Sequence, residues 1–259
     1  MRIGLKPFIL FLLLSACATK PTDPEALKAY QEANDPLEPM NRVTYSFNDK
    51  LDQYVFQPFD KAYRWIFPEV VRTGIHNFSV NLNQPCYFVN SLLQGNVKDS
   101  TQILGRFFTN STLGIGGLFD VATELGIEAH KTDFGETLYT WGVKESGPYL
   151  VLPVLGPSTV RDTTGIVADL FIDPVDWTLP KSEKHLLLYR YAIWSIDRID
   201  ATADLLQNMK QSSVDPYATL RTMYQQNRKK VLEKDSANNS DTTVQATANY
   251  DFDFEEDEE

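Results

Sequence analysis

Apolar residues recur at helical spacing along nearly the whole of this chain, and that periodicity points to an all-α fold. Met40, Val43, Phe47, Leu51, Tyr54 and Val55 predict a helix that Pro58 interrupts. A short helix follows over Phe59–Ile66 and ends at Pro68. Pro68 opens a segment reaching about Leu82, with Val71, Ile75, Phe78 and Leu82 on one face, and Pro85 starts another that stops at Gly95. The stretch Asn96–Asn110 is two-faced most clearly: Val97, Ile103, Leu104, Phe107 and Phe108 share one arc, with Asp99, Gln102, Arg106 and Thr109 opposite. In Leu113–Phe119 the glycines deny a stable helix while the other residues favour an apolar environment. Further helices are predicted over Asp133–Trp141, over Ser158–Leu170, from an N-cap at Ser182 to about Met209, and from Asp215 and Pro216 to near Lys234. Tyr149–Leu155 alone reads as a strand, and with Pro153 in it an isolated extended segment is expected. No substantial β-sheet follows from this pattern.

The N-terminus carries Arg2 and Lys6 ahead of an apolar run beginning at Phe8, the layout of a secretory signal. That run is far shorter than the roughly 20 residues a membrane-crossing helix needs. Cys17 directly follows the small pair Ser15 and Ala16, a box similar to the cleavage site of bacterial lipoproteins. The likeness implies removal of residues 1–16, lipidation of Cys17 and, because Ala18 is not Asp, delivery to the outer membrane facing the periplasm. Residues 17–34, polar and with Pro21 and Pro24, read as a lipidated tether, and 35–234 as the helical body. With Cys17 lipidated, Cys86 has no partner for a disulfide, so the fold rests on packing.

Residues 235–259 hold nine acidic residues and no Lys or Arg, a composition that reads as an acidic disordered tail. Removing them takes the net charge from -11 to -11 + 9 = -2. A near-neutral body offers no footprint for nucleic acid, which needs clustered Lys and Arg.

Catalysis finds little support. His76, His130 and His185 form no HExxH pair, there is no GxSxG elbow and no Walker motif, and no metal or cofactor is expected. Gly114, Gly116 and Gly117 ahead of Asp120 lack the preceding strand and following Lys of a phosphate loop. His130 and Asp133, three residues apart, are better read as a surface pair than as an acid and base. More informative are polar groups set into apolar helices, among them Asn77, Asn81, Asn90, Arg106, Asn110, Arg161, Asp162 and Asp169. Taken singly they cap helices or pair internally, Arg161 with Asp162 or Asp169. Taken together they suit helices lying in a bilayer around a polar passage, since polar side chains at membrane depth need a protein or water interior.

Several stretches resemble the MlaA, or VacJ, family of outer-membrane lipoproteins: Asp35–Glu38 with Asn41 and Arg42, Asn77 and Phe78 with Asn81 and Leu82, Arg106–Phe108 with Asn110, Gly114–Asp120, Gly147–Tyr149, Arg161 and Asp162, and Ser212 and Ser213 with Asp215–Tyr217. Val214 is an insertion against the family pattern. The resemblance implies a helical ring in the inner leaflet of the outer membrane, bound to a trimeric porin. It implies a channel that removes misplaced phospholipids from the outer leaflet and hands them to a soluble periplasmic carrier. Asn77, Asn81, Arg106, Asn110, Arg161 and Asp162 are then candidates for the polar wall. Phe47, Asn48, Gly114, Gly116, Gly117 and Phe119 are candidates for gating or membrane contact. Two other readings stand beside it, a passive porin-associated scaffold and a phospholipid-modifying enzyme.

Overall fold

The computed structural model describes residues 22–23, 27–28 and 33–240. Cys17, the signal segment 1–16, most of the 17–34 tether and residues 241–259 lie outside the described residues.

Helix α1 (Glu38–Leu51) runs through a π-helical turn (Asp52–Phe56) directly into α2 (Gln57–Ile66). Pro58 therefore does not end a helix. It sits in the first turn of α2, directly after the π turn, and the helical path continues through it. Lys210 pins the π turn from across the fold, its Nζ lying 2.7 Å from Asp49 and 2.6 Å from Asp52.

Helix α3 (Glu69–Leu93) merges two predicted helices into one of 25 residues with Pro85 inside it. Proline withholds one N–H from the carbonyl four residues back. Tertiary packing outweighs that loss, because Gln84, Cys86 and Asn90 around it are all buried. The chain turns at Gly95, φ +78°, into α4 (Val97–Thr112), whose cap Asn96 accepts from the Asp99 N–H at 3.1 Å. Together α3 and α4 form the most extensive helix pair. The glycine segment follows, then α5 (Val121–Glu124) and α6 (Phe134–Thr140), the latter capped by Asp133.

The extended segment is not isolated. β1 (Tyr149–Leu152) pairs antiparallel with β2 (Gly156–Thr159), Tyr149 opposite Thr159 and Leu152 opposite Gly156. Val154 and Gly156, both at positive φ, make the tight connection. The free edge of β1 is completed by side-chain amides from α1. Asn41 donates to the Tyr149 carbonyl and accepts from the Val151 N–H, both at 2.9 Å. Asn48, two turns further on, donates to the Leu152 carbonyl at 2.9 Å and accepts from the Val154 N–H at 2.8 Å. Each amide takes the place a third strand's peptide would fill, and so seats the hairpin on α1.

Thr159 then caps α7 (Val160–Ile172), which packs on α6. A short α8 (Pro174–Thr178) and a 3₁₀ turn (Lys181–Glu183) lead to α9 (His185–Ser212). Ser182 is therefore inside the 3₁₀ turn and does not cap α9, which starts without a side-chain cap. Asp215 accepts from the Ala218 N–H at 3.2 Å and opens α10 (Pro216–Ser240), which extends past residue 234.

Burial is inverted relative to a water-soluble domain. Among the described residues the buried set holds more polar residues than apolar ones, including Asp35, Arg106, Glu136, Arg161, Asp162 and Arg190. The apolar cluster is small: Tyr149, Val151 and Tyr217, flanked by Tyr45 and Tyr224. Large apolar side chains meanwhile stand outward on α2, α4, α7 and α9, among them Trp65, Phe108, Phe171 and Leu188.

Candidate functional site

Arg106 and Asn110 are one helical turn apart on α4 and buried, so both reach the same neighbour, the loop that leads into α5. The Arg106 guanidinium grips Asp120 with Nη2 at 2.8 and 2.7 Å, and its Nη1 donates to Thr123 Oγ1 at 3.0 Å and to the Ile127 carbonyl. Asn110 donates to Asp120 at 2.9 Å and accepts from the Ala122 N–H at 2.9 Å. Desolvation pushes the Asp120 carboxyl up. Hydrogen bonds from Thr123 and Asn110 and the charge of Arg106 outweigh it and hold the group below the ordinary carboxylate range.

The glycine segment is folded tightly against the same two helices. Asn81 on α3 donates to Ser111 Oγ at 2.9 Å and towards the Gly116 carbonyl at 3.4 Å, while Asn77 donates to the Leu118 carbonyl at 3.3 Å. Gly117, φ +98°, lies so close that a Cβ there would stand 2.6 Å from the Cβ of Asn81. At Gly114 an added Cβ would be 2.2 Å from the Phe119 carbonyl oxygen. This packing presents Leu113, Ile115, Leu118 and Phe119 outward as an exposed apolar rim. The Oδ1 of Asn81 is buried there without a hydrogen-bond donor.

Arg161 and Asp162 belong to a second cluster, at the start of α7. Asp162 receives Arg161 at 3.2 Å, Arg228 at 3.1 Å and the Tyr224 hydroxyl. Desolvation raises its pKa, and Arg228, Tyr224 and Arg161 together more than reverse that. Arg228 also reaches Asp133 at 2.7 Å and Glu136 at 2.8 Å. The six residues expected to form one polar wall are thus divided between two clusters, in which Asn77 is only half-buried. Their polar atoms are spent largely on protein partners. Phe47 is exposed, whereas its neighbour Asn48 is the hairpin clamp described above.

The residues with chemical potential elsewhere are used structurally. His130 faces Gln102 at 2.6 Å and Asp99 at 3.4 Å, while Asp133 caps α6 and meets Arg228, so those two do not form a pair with each other. Cys86 is buried beside Asp169, and desolvation pushes its thiol far above the ordinary range. Arg221, Tyr224 and Arg228 escaped the sequence reading, and Tyr217 entered it only within a stretch that resembles the family. Their spacing along α10 is a helical stripe, the one signal that was available.

The model of the MlaA lipoprotein family matches residues 33–231. The chain belongs to the MlaA lipoprotein family. It is 38% identical over 220 residues to the intermembrane phospholipid transport system lipoprotein MlaA of Escherichia coli K12, covering 82% of this chain and 81% of the relative. The MlaA of Haemophilus influenzae is 34% identical over 226 residues, covering 85% and 88%. A solved structure described as the "Structural basis for maintenance of bacterial outer membrane lipid asymmetry" aligns with a TM-score of 0.64 at 33% identity, covering 74% of this chain and 96% of that one. The all-α reading and the family resemblance both stand, the hairpin being a minor addition.

Proposed function

We propose that this member of the MlaA family is a phospholipid-transport lipoprotein of the outer membrane. Its helices lie as a ring in the inner leaflet and enclose a polar passage. Phospholipids misplaced in the outer leaflet enter the passage and pass to a soluble periplasmic carrier, with a trimeric porin as the assembly partner and Cys17 as the lipidated anchor. The names of the relatives above support the substrate class.

The observation that carries this reading is the inverted burial: carboxylates, guanidiniums and amides inside, aromatic and aliphatic side chains outside. No described helix is long and apolar enough to cross a membrane. An apolar exterior on helices too polar to span suits a body that lies in one leaflet and does not thread the bilayer. A phospholipid needs a wet path for its headgroup, because an unpaired charge in hydrocarbon carries a prohibitive free energy.

Asn77, Asn81, Arg106 and Asn110 are assigned to the polar wall beside the glycine segment, and Arg161 with Asp162 to its continuation at α7. The rim formed around Gly114, Gly116, Gly117 and Phe119 is the membrane contact or gate. Phe47 and Asn48 set how the hairpin seats on α1 and thus how open the passage is.

The test is surface-exposed phospholipid in cells that lack the protein, that are restored with it, and that are restored with Arg106→Ala plus Asn81→Ala at equal protein level. Deletion is expected to raise surface phospholipid and the native chain to lower it. An unchanged level on deletion would sink the transport reading. Full function of the double variant would sink the wall assignment alone and favour porin scaffolding by the rest of the body.

A further inference from the structure

Arg198, near the middle of α9, is unlike every other described arginine. The others each meet at least one carboxylate: Arg106 meets Asp120, Arg190 meets Asp173, Arg221 meets Asp35, and so on through the fold. Arg198 has none among the described residues. Its nearest acids along the helix are turned elsewhere, Asp197 to His76 and Asp200 to Arg64 and Arg72. What Arg198 does contact is weak or uncharged. Its Nη2 donates to the Leu155 carbonyl at the hairpin tip over 3.4 Å, and its guanidinium carbon lies 5.3 Å from the centre of the Trp194 ring.

The setting is crowded yet open. Surrounding protein displaces enough water to lower the Arg198 pKa, with no anion to offset it, while the side chain keeps an exposed face. Its guanidinium sits between the hairpin tip and the Trp194 ring. A guanidinium left there without a counter-ion offers a planar fork of N–H donors suited to a phosphate or carboxylate, held by two parallel hydrogen bonds. The flanking surface is apolar: Val154 and Leu155 at the hairpin tip are exposed, as is Tyr191, and Trp194 is half-buried one turn away on α9. A small free anion has no use for that apolar flank. An amphiphile uses both parts.

We infer that Arg198, with Trp194 and the hairpin tip Val154–Leu155, is a phosphate-binding site for the headgroup of a phospholipid. This rests on the transport reading above and sharpens it, since it places a headgroup contact on α9, outside both polar clusters. The shared chemistry is a phosphate anion, whose two sources are a lipid headgroup and inorganic phosphate.

The test is equilibrium binding to the purified full-length lipoprotein in non-ionic detergent, read by native mass spectrometry. The probes are dioctanoyl phosphatidylglycerol, dioctanoylglycerol and inorganic phosphate. The native chain is expected to prefer phosphatidylglycerol over dioctanoylglycerol about tenfold, a charge-assisted bidentate contact being worth about that factor. Arg198→Gln should abolish the preference and leave dioctanoylglycerol binding unchanged, while Arg198→Lys should retain most of it. Equal binding of the two lipids by the native chain would overturn the inference without recourse to any variant, as would an undiminished preference in Arg198→Gln. Inorganic phosphate binding as tightly as the lipid would overturn the assignment to a headgroup. The transport reading fails separately, through unchanged surface phospholipid in the deletion strain, whatever Arg198 does.

Discussion

Two seams hold late helices to early ones, and they use the same chemistry in opposite settings. In the inner seam α10 supplies a stripe of Tyr217, Arg221, Tyr224 and Arg228 to acids on the body: Asp35 for the first pair, Asp162, Asp133 and Glu136 for the second. In the outer seam the signs are exchanged, and α9 supplies Asp197, Asp200 and Asp204 to His76, Arg72 and Arg64 on α3 and α2. In the inner seam the Asp35, Glu136 and Asp162 side chains are 1%, 4% and 8% exposed, with Asp133 at 42%; in the outer seam His76 and Asp204 are 45% and 74%, with Asp197 and Asp200 at 15% and 18%. Where water cannot enter, a lost partner leaves an orphan charge; where it can, water takes the partner's place. The inner seam therefore fixes the fold, and the outer seam is the one that is free to adjust.

The sharpest way to break this contrast is Arg228→Ala. It strips one guanidinium from three carboxylates at once, and removing one partner of a buried pair destabilises by about 3–5 kcal/mol. Thermal unfolding should show that loss, with Arg228→Lys recovering part of it. A loss under about 1 kcal/mol would mean that water reaches Glu136 and Asp162 as it already reaches Asp133.

Beside this seam lies a half-buried acid with no cation of its own among the described residues. Asp169 accepts from Asn90 at 2.7 Å and from the Phe134 N–H at 3.3 Å, with Cys86 at 3.6 Å and Asp133 nearby. Desolvation chiefly lifts its pKa from 3.8 to about 6. The folded chain thus holds a proton that the unfolded chain releases, so this contribution is full below pH 3.8 and is lost as pH rises through about 6. At about 1.4 kcal/mol per unit the loss is roughly 3 kcal/mol. Denaturant unfolding from pH 4 to 7 should carry that downward component in the native chain and lack it in Asp169→Asn. Parallel curves would refute it.

Arg106→Ala probes an intermediate case, because Arg106 is 3% exposed and its partner Asp120 31%. With one end of the pair wet, a loss of about 2 kcal/mol is expected, between the two seams. Hydrogen exchange should quicken across residues 113–127, the segment that Arg106 and Asn110 hold, and not at α10. Exchange unchanged in that segment would mean that Asn81 and the glycine packing hold it alone.

What the sequence disclosed follows the range of the interaction. The two faces of α4, and the helix starts at Asn96, Asp133 and Asp215, were legible because each depends on residues within a turn or two. Pro85 was misread as a boundary because only distant packing keeps α3 whole around it. The hairpin was missed because Gly156 and Pro157, ordinary breakers, form its second strand. Of the candidate wall, the choice of Asn81, Arg106, Asn110, Arg161 and Asp162 identified buried polar residues, since polarity on an apolar helix is visible locally. Their partners were not visible: Asp162 meets Arg228 66 positions away, and Asp35 meets Arg221 at 186. The stripe on α10 shows four residues pointing one way, never what they point at.

The smallest expected effect belongs to the outer seam. Arg72 donates to Asp200 at 2.8 Å, but Asp200 keeps Arg64 at 2.8 Å, so Arg72→Ala leaves no acid orphaned. With Arg72 21% and Asp200 18% exposed and Asp200 still paired, the loss in detergent should be about 1 kcal/mol and only partly screened by salt. The same variant in a lipid bilayer is the more telling measurement. If the exposed edges of His76 and Asp204 meet water there too, the two values agree and the outer seam is an adjustable joint on the wet side of the leaflet. A loss of several kcal/mol confined to the bilayer would mean that the same exposed edges meet hydrocarbon, where no water can replace a partner. The contrast between the seams would then collapse, and the α2–α3–α9 junction would become a second fixed part of the ring.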